Sequence, residues 1–232
     1  MTVHSFHLAE VGVRRLARSL VRPPQPGSTP GLVHAECMVV MELGSPIVSP
    51  RRAQIGKMAM FASWDSEAAI DGFLDGNDHR GLADGWHVRL EFMRRWGSVA
   101  AFGDLPGSTG ESDPTQPVVA VTLARLKLPE VPRFIRWGKP VERQVRDDPA
   151  TRLALAAGRP PRTVSTFSIW ESEQAMTDMV HGRSAHSEGD RHAVAMVERR
   201  RKDFHHEFTT LRFRSLGEYG TWQGRGDYVP DH

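Results

Sequence analysis

Cysteine is almost missing from this chain. Cys37 is the single one in 232 residues, so an intrachain disulfide or a thiolate metal cluster cannot form. A reducing compartment, the cytoplasm, is the setting this implies. Long apolar runs are missing too, with nothing near the ~18 residues needed to cross a bilayer. The first residues, "MTVHSFHLAEVGVRRLARSLV", have neither a long apolar core nor an A-x-A site and read as structure rather than as a signal peptide. Neither sign of charge dominates: 30 Lys and Arg stand against 28 Asp and Glu, a net charge of +2. Nucleic acid is therefore not an expected partner. Also lacking are a G-x-G-x-x-G turn, a P-loop, a G-x-S-x-G elbow and an H-E-x-x-H zinc pair.

What is present is an ordinary globular composition, 39% hydrophobic and 25% charged, with frequent Arg, Ala, Gly and Pro that suits a high-GC bacterial gene. The length admits one large domain or two of roughly 100 residues. One phrase occurs twice: "FASWDSEAAIDGFL" from Phe61 and "FSIWESEQAMTDMV" from Phe167. In each copy an apolar stretch ends on Trp (Trp64, Trp170), and an acid and Ser-Glu follow (Ser66-Glu67, Ser172-Glu173). Such a cap stabilises a helix by roughly 1 kcal/mol. Behind it Ile70 and Phe73, and Met176 and Met179, fall on one helical face.

The flanks repeat as well. Strand-like Val3–Val11, helix-like Gly12–Val21 and strand-like Leu32–Leu43 precede the first phrase, and "WHVRLEF" (Trp86–Phe92) follows it. Val118–Leu128, Val131–Asp147 and Thr151–Gly158 precede the second, and "FTTLRFR" (Phe208–Arg214) follows it. Between them lies a Gly-, Pro- and Ser-rich join. The expected organisation is residues 1–102 as a first half, 103–117 as linker and 118–232 as a second half with a longer second helical region and a tail. The expected fold class is α+β, tandem ferredoxin-like (βαββαβ) repeats packed sheet-to-sheet as an intrachain dimeric α+β barrel. Chance likeness of two cap-and-helix patterns is the competing reading of the repeat.

The halves differ after Val180, where the second carries an extra stretch with a helical pattern over Gly189–Phe204. His192 and Met196 share one face of it. His181, His186, His192, His205 and His206 crowd this region without the spacing of a zinc signature. His205 and His206 are adjacent in a strand, so at most one faces a pocket. Two readings stand: exposed histidines in polar loops, or one of them, His192, ligating a haem iron or donating protons. Glu207 and Arg212 either orient a histidine or form an ordinary cross-strand ion pair. Trp64 and Trp170 read first as core plugs.

The strings "TFSIWESEQAM", "RHAVAMVERR", "FHHEFTTLRF" and "GTWQG", with "FHLAEVG" and "GWHVRLEF" in the first half, resemble the bacterial spheroidene monooxygenase family over most of the chain. That resemblance implies a dimeric α+β barrel, monooxygenase chemistry, haem and an external electron donor. The positions it implies are Trp170, His192, Glu207, Arg212, Phe213 and Trp222. The expectation is a monooxygenase-like oxidoreductase with a small apolar substrate between sheet and helices of the second half. His192, Glu207 and Arg212 are its catalytic residues, His192 its haem ligand, and Trp170, Met196 and Phe213 its cofactor contacts. The chain departs from the family in a longer, more polar stretch over Met179–Asp190. Two alternatives accompany this reading, a cofactor-independent monooxygenase and a non-enzymatic ligand-binding barrel. Further association of two chains is left open.

Overall fold

A computed structural model describes residues 2–45, 52–76, 80–183, 197–198 and 201–230. The first half runs β1 (Val3–Glu10), α1 (Gly12–Val21), β2 (Leu32–Met41), β3 (Ala53–Trp64), α2 (Glu67–Asp75), a short α3 (Arg80–Ala83) and β4 (Trp86–Ser98). The second runs β5 (Val118–Leu126), α4 (Val131–Asp147), β6 (Thr151–Arg159), β7 (Thr163–Trp170), α5 (Glu173–Val180) and β8 (His205–Tyr219). The α3 turn falls where the sequence had no element. The helix expected over Gly189–Phe204 lies largely outside the described residues; Val197, Glu198 and Arg201 are helical, and Asp203 and Phe204 are not.

Serine caps start both repeated helices. Ser66 Oγ accepts from Ala69 N at 3.3 Å, and Ser172 Oγ accepts from Ala175 N at 3.1 Å, each serine in extended backbone. The strands form one closed antiparallel barrel in the order β1-β3-β2-β6-β7-β5-β8-β4. Within each half the sequence is second, third, first, fourth, which is the ferredoxin-like order. The two registers also match: Val3 pairs Trp64 as Val118 pairs Trp170, and Ser5 pairs Arg89 as Ala120 pairs Arg212.

Alternate residues of every strand point inward, and an eight-stranded barrel is just wide enough for side chains to fill. Phe6, Leu8, Met38, Phe61, Val88, Leu90, Val121, Phe167 and Phe213 are among those that fill it. Outside, α1, α2 and α3 cover the first half's sheet over Met58, Met60, Trp64, Ile70 and Phe73. The second half's outer cluster is smaller: Val118, Trp170, Met176 and Met179.

The halves meet at two seams. At the first, β4 and β8 pair from Ser98↔Phe208 to His87↔Tyr219. At the second, β2 and β6 share three pairs only, Val39↔Gly158, Val40↔Ala157 and Met41↔Ala156. Where that ladder stops, buried Glu36 of the first half takes over. It accepts from Arg159 at 2.7 Å, from Arg125, and meets His34 Nε2 at 3.1 Å. Burial alone raises this carboxyl's pKa, but the His34 hydrogen bond and the two guanidinium charges outweigh it and hold the group below the usual range. Removing one member of a buried ion pair leaves the others uncompensated. Glu36→Ala is expected to cost about 3–5 kcal/mol of stability, read as a lower urea midpoint; an unchanged midpoint would show that the clasp contributes nothing.

Candidate functional site

The matched registers let each outward-facing row be read against its counterpart. Midway along the first half the row is Cys37, Met60, His7, His87, Tyr219, each paired with the next across β2, β3, β1, β4 and β8. The row in the same place in the second half is Ala156, Thr166, Thr122, Thr210, Trp96, across β6, β7, β5, β8 and β4. Met60 and His7 are 0% exposed. His7 stacks on His87 at 5.1 Å and His87 on Tyr219 at 4.9 Å, so the space under the first half's helices is filled. The second row carries small side chains as far as Thr210 and ends on Trp96, and its three threonines are half-buried. Thr122 and Thr210 share a hydroxyl hydrogen bond of 3.3 Å. Above them, α4 has no buried residue along its whole length. Under α4, the sheet thus presents threonine and alanine where the first half presents Cys37, Met60, His7 and His87.

One end of this face is closed by Trp170, Met176 and Met179. At the other, Phe134 of α4 lies against Phe204 and His205, and Phe208 follows. His205 faces the helix side, opposite Leu126, and is buried, whereas His206 is exposed. Its Nδ1 is 2.9 Å from Asp203 Oδ1, an arrangement that fixes the imidazole's orientation and tautomer.

The residues expected at the site are spread over the fold. His192 and Met196 lie outside the described residues. Trp170 is buried at the closed end of this face, its Nε1 donating to Ser168 Oγ at 2.9 Å. Arg212 is on the helix side of the sheet and donates to Glu173 while lying 4.4 Å over the Trp96 ring. Burial lowers its pKa, with Glu173 opposing. Arg89 meets Glu67 in the same way in the first half, at 3.2 Å. The pair thus recurs wherever the fold has a second helix over its fourth strand, as a structural tie would. Phe213 points into the barrel, away from Arg212. Glu207 sits at the barrel's end and accepts from Ala100 N at 3.0 Å, holding a loop of the first half. Trp222 packs under the barrel interior. The structure therefore does not bring Glu207, Arg212 and Phe213 together. Sequence reasoning missed the threonine row and the His205–Asp203 pair.

Among the described residues no group of three or more His, Cys, Asp or Glu side chains gathers to hold a metal, and no helix is long and apolar enough to cross a membrane. Burial pushes the Cys37 thiol up to about 12, so it is not a nucleophile near neutral pH.

Burial likewise holds His87 down at about 4, with Arg89 adding to the effect, and lowers His7 well below the usual histidine range. His4, inside the barrel among Phe61, Phe92, Phe102 and Phe213, is also lowered to about 4 by burial. Neither ring nitrogen of His4 or His87 has a hydrogen-bond partner among the described residues. A histidine whose folded pKa lies below its unfolded value near 6.5 takes its proton first in the unfolded chain. Stability from this source is complete above about pH 6.5 and is lost as pH falls towards 4. The melting temperature is expected to drop over that window, and His87→Phe, which keeps the stack on Tyr219, is expected to flatten the drop; an equal slope in the variant would reject the assignment.

No family model matches the chain. It is 30% identical over 131 residues to a spheroidene monooxygenase of Rhodobacter capsulatus, a match covering 56% of this chain and 51% of that protein. The chain thus spans about half the length of that relative. It is 27% identical over 206 residues to the spheroidene monooxygenase of Rubrivivax gelatinosus, covering 86% of this chain and 77% of the other. Among solved structures, an aldoxime dehydratase in complex with butyraldoxime superposes with a TM-score of 0.56 at 6% identity, covering 98% of this chain and 84% of that one. That likeness concerns the fold alone.

Proposed function

We propose that this chain, similar in sequence to spheroidene monooxygenases and folded as an α+β barrel, is an oxidoreductase of monooxygenase type that holds a small apolar substrate in a groove between sheet and helices of its second half. The observation that carries this reading is the substitution of Thr166, Thr122 and Thr210 for the Met60, His7 and His87 that pack the same space in the first half. A buried apolar side chain such as Met60 contributes about 1.5–3 kcal/mol. Giving up such packing along one row of one half alone is what a site for a guest molecule requires. The threonine hydroxyls supply polar contacts to a substrate that is otherwise bound by apolar burial. The aldoxime dehydratase that shares the fold was crystallised with a small molecule of that kind.

Haem is the cofactor of this proposal. The described residues bear on it in one respect, the small side chains of Thr166, Thr122 and Thr210; the proposed ligand, His192, lies outside them. With haem bound, one atom of O2 enters the substrate and the other leaves as water, using two electrons from an external donor and two protons. His205, oriented by Asp203 at the end of the groove, is placed to handle a proton. The same pair favours a second reading, in which His205 deprotonates an activated substrate that reacts with O2 without a cofactor.

Protein purified from a haem-supplemented culture is expected to show a Soret band, lost in His192→Ala. Full haem retention in that variant would remove the ligand assignment. A colourless protein that consumes O2 without reductant would favour the second reading. Neither colour nor O2 uptake with apolar substrates would leave a binding protein. Thr166→Met copies the first half, so the melting temperature should hold while activity falls at least tenfold; full activity would place the substrate elsewhere.

A further inference from the structure

The short second seam leaves a gap. Its last pair is Met41↔Ala156, yet β6 begins at Thr151, so, among the described residues, 151–155 run on with no strand beside them on that side. A cavity of about 490 Å3 occupies the gap, within the size range of small-molecule sites. Both halves line it. Val40, Leu153, Leu155 and Trp222 form an apolar floor continuous with the barrel interior. Lys57, Arg146 and the amides of Gln54 and Gln223 stand around it, with Glu42 the one carboxylate among its lining residues.

Two observations say that this rim is built to receive something. Lys57 Nζ lies 5.1 Å over the Trp222 ring, and its ion-pair mate, Glu10 at 3.2 Å, is 69% exposed. Exposed pairs of that kind are worth little, so Lys57 can exchange a water-screened carboxylate for a better-desolvated one. Arg146, on the same rim, is held by Asp147 through hydrogen bonds of 2.7 and 2.8 Å and by the Leu43 carbonyl at 3.1 Å, and adds positive charge there. The second observation is backbone strain. Trp222 and Arg225 close a tight turn, Trp222 N to Arg225 O at 2.8 Å and Arg225 N to Trp222 O at 3.1 Å. Its central residues, Gln223 and Gly224, both have positive φ, 54° and 78°. Asn-Gly meets this geometry easily, whereas Gln is strained there. Strain of this kind is kept at functional sites, and Gln223 lines the cavity.

We propose that the cavity at the β2·β6 seam binds a small amphipathic carboxylate, with its apolar body on Leu153, Leu155 and Trp222 and its carboxylate at Lys57 and Arg146. The site is separate from the threonine row and needs no part of the proposed chemistry. Octanoate is the probe, titrated into the full chain by calorimetry with octanol as the uncharged control. Saturable one-to-one binding of octanoate is expected, at least tenfold tighter than octanol. Lys57→Gln and the cavity-filling Leu153→Phe should each weaken it at least tenfold, and Thr122→Phe should leave it unchanged. Gln223→Gly should raise the melting temperature and weaken binding, a combination that a purely structural turn would not give. No saturable binding by the native chain overturns the proposal. So does binding abolished by Thr122→Phe and kept by Leu153→Phe, and equal affinity for octanol overturns the carboxylate's part.

Discussion

A four-stranded sheet with helices on one face has a bare apolar face and two open edges, and everything else in this molecule follows from how both are covered. The inward rows of the two halves interdigitate as Phe6 stacks on Phe167 at a centroid distance of 3.9 Å, so each half is the other's interior. The edges are covered by hydrogen bonding β4 to β8 and β2 to β6, which leaves no free strand edge along the paired lengths. Where the second ladder is too short, Glu36, Arg125 and Arg159 bridge the halves by charge. Loss of either seam would expose apolar surface and unpaired backbone together.

With closure assigned to the inward rows, the outward rows are free to differ. In the first half they are packed to the point of burying His7 and His87 without full hydrogen bonding, an arrangement tolerated only because both imidazoles stay neutral. In the second half the same positions are threonines. What does not differ is the frame around them: Ser66 and Ser172 cap the helices, and Glu67 and Glu173 reach Arg89 and Arg212. A feature repeated in both halves belongs to the fold, and a feature found in one belongs to that half's own task. The Arg212–Glu173 pair recurs in both halves, and the threonine row is found in one.

The order of elements was legible because periodicity and capping are local. Gly12–Val21 and Val131–Asp147 form helices over the residues their patterns mark. The fourth strands were read too short, as Trp86–Phe92 and Phe208–Arg214, because their outer portions are held by pairing with each other across the first seam rather than by alternation. The site was mostly illegible. Thr122, Thr166 and Thr210 are ordinary strand residues far apart in sequence, and only register aligns them. One clue was in plain view: Met60 precedes Phe61 as Thr166 precedes Phe167. His205 was seen as one of a cluster, but the sequence has no means of showing that Asp203 turns back to hold it.

Two positions lie on the pseudo-dyad that relates the halves, and they show why one chain serves better than two. By the matched registers Glu91 corresponds to Arg214, and the two are directly paired across the first seam. In a symmetric dimer a residue at that place faces its own copy, and a charge would meet a like charge. Here the place holds an ion pair, Arg214 to Glu91 at 2.9 Å. At the second seam Val39 corresponds to Gly158 and is paired with it. A side chain at Gly158 would begin 3.1 Å from Met41 Cε, which would have to give way by a few tenths of an ångström to admit it. Both solutions are asymmetric by construction. The covalent link between the halves is therefore what permits equivalent positions in them to carry different residues.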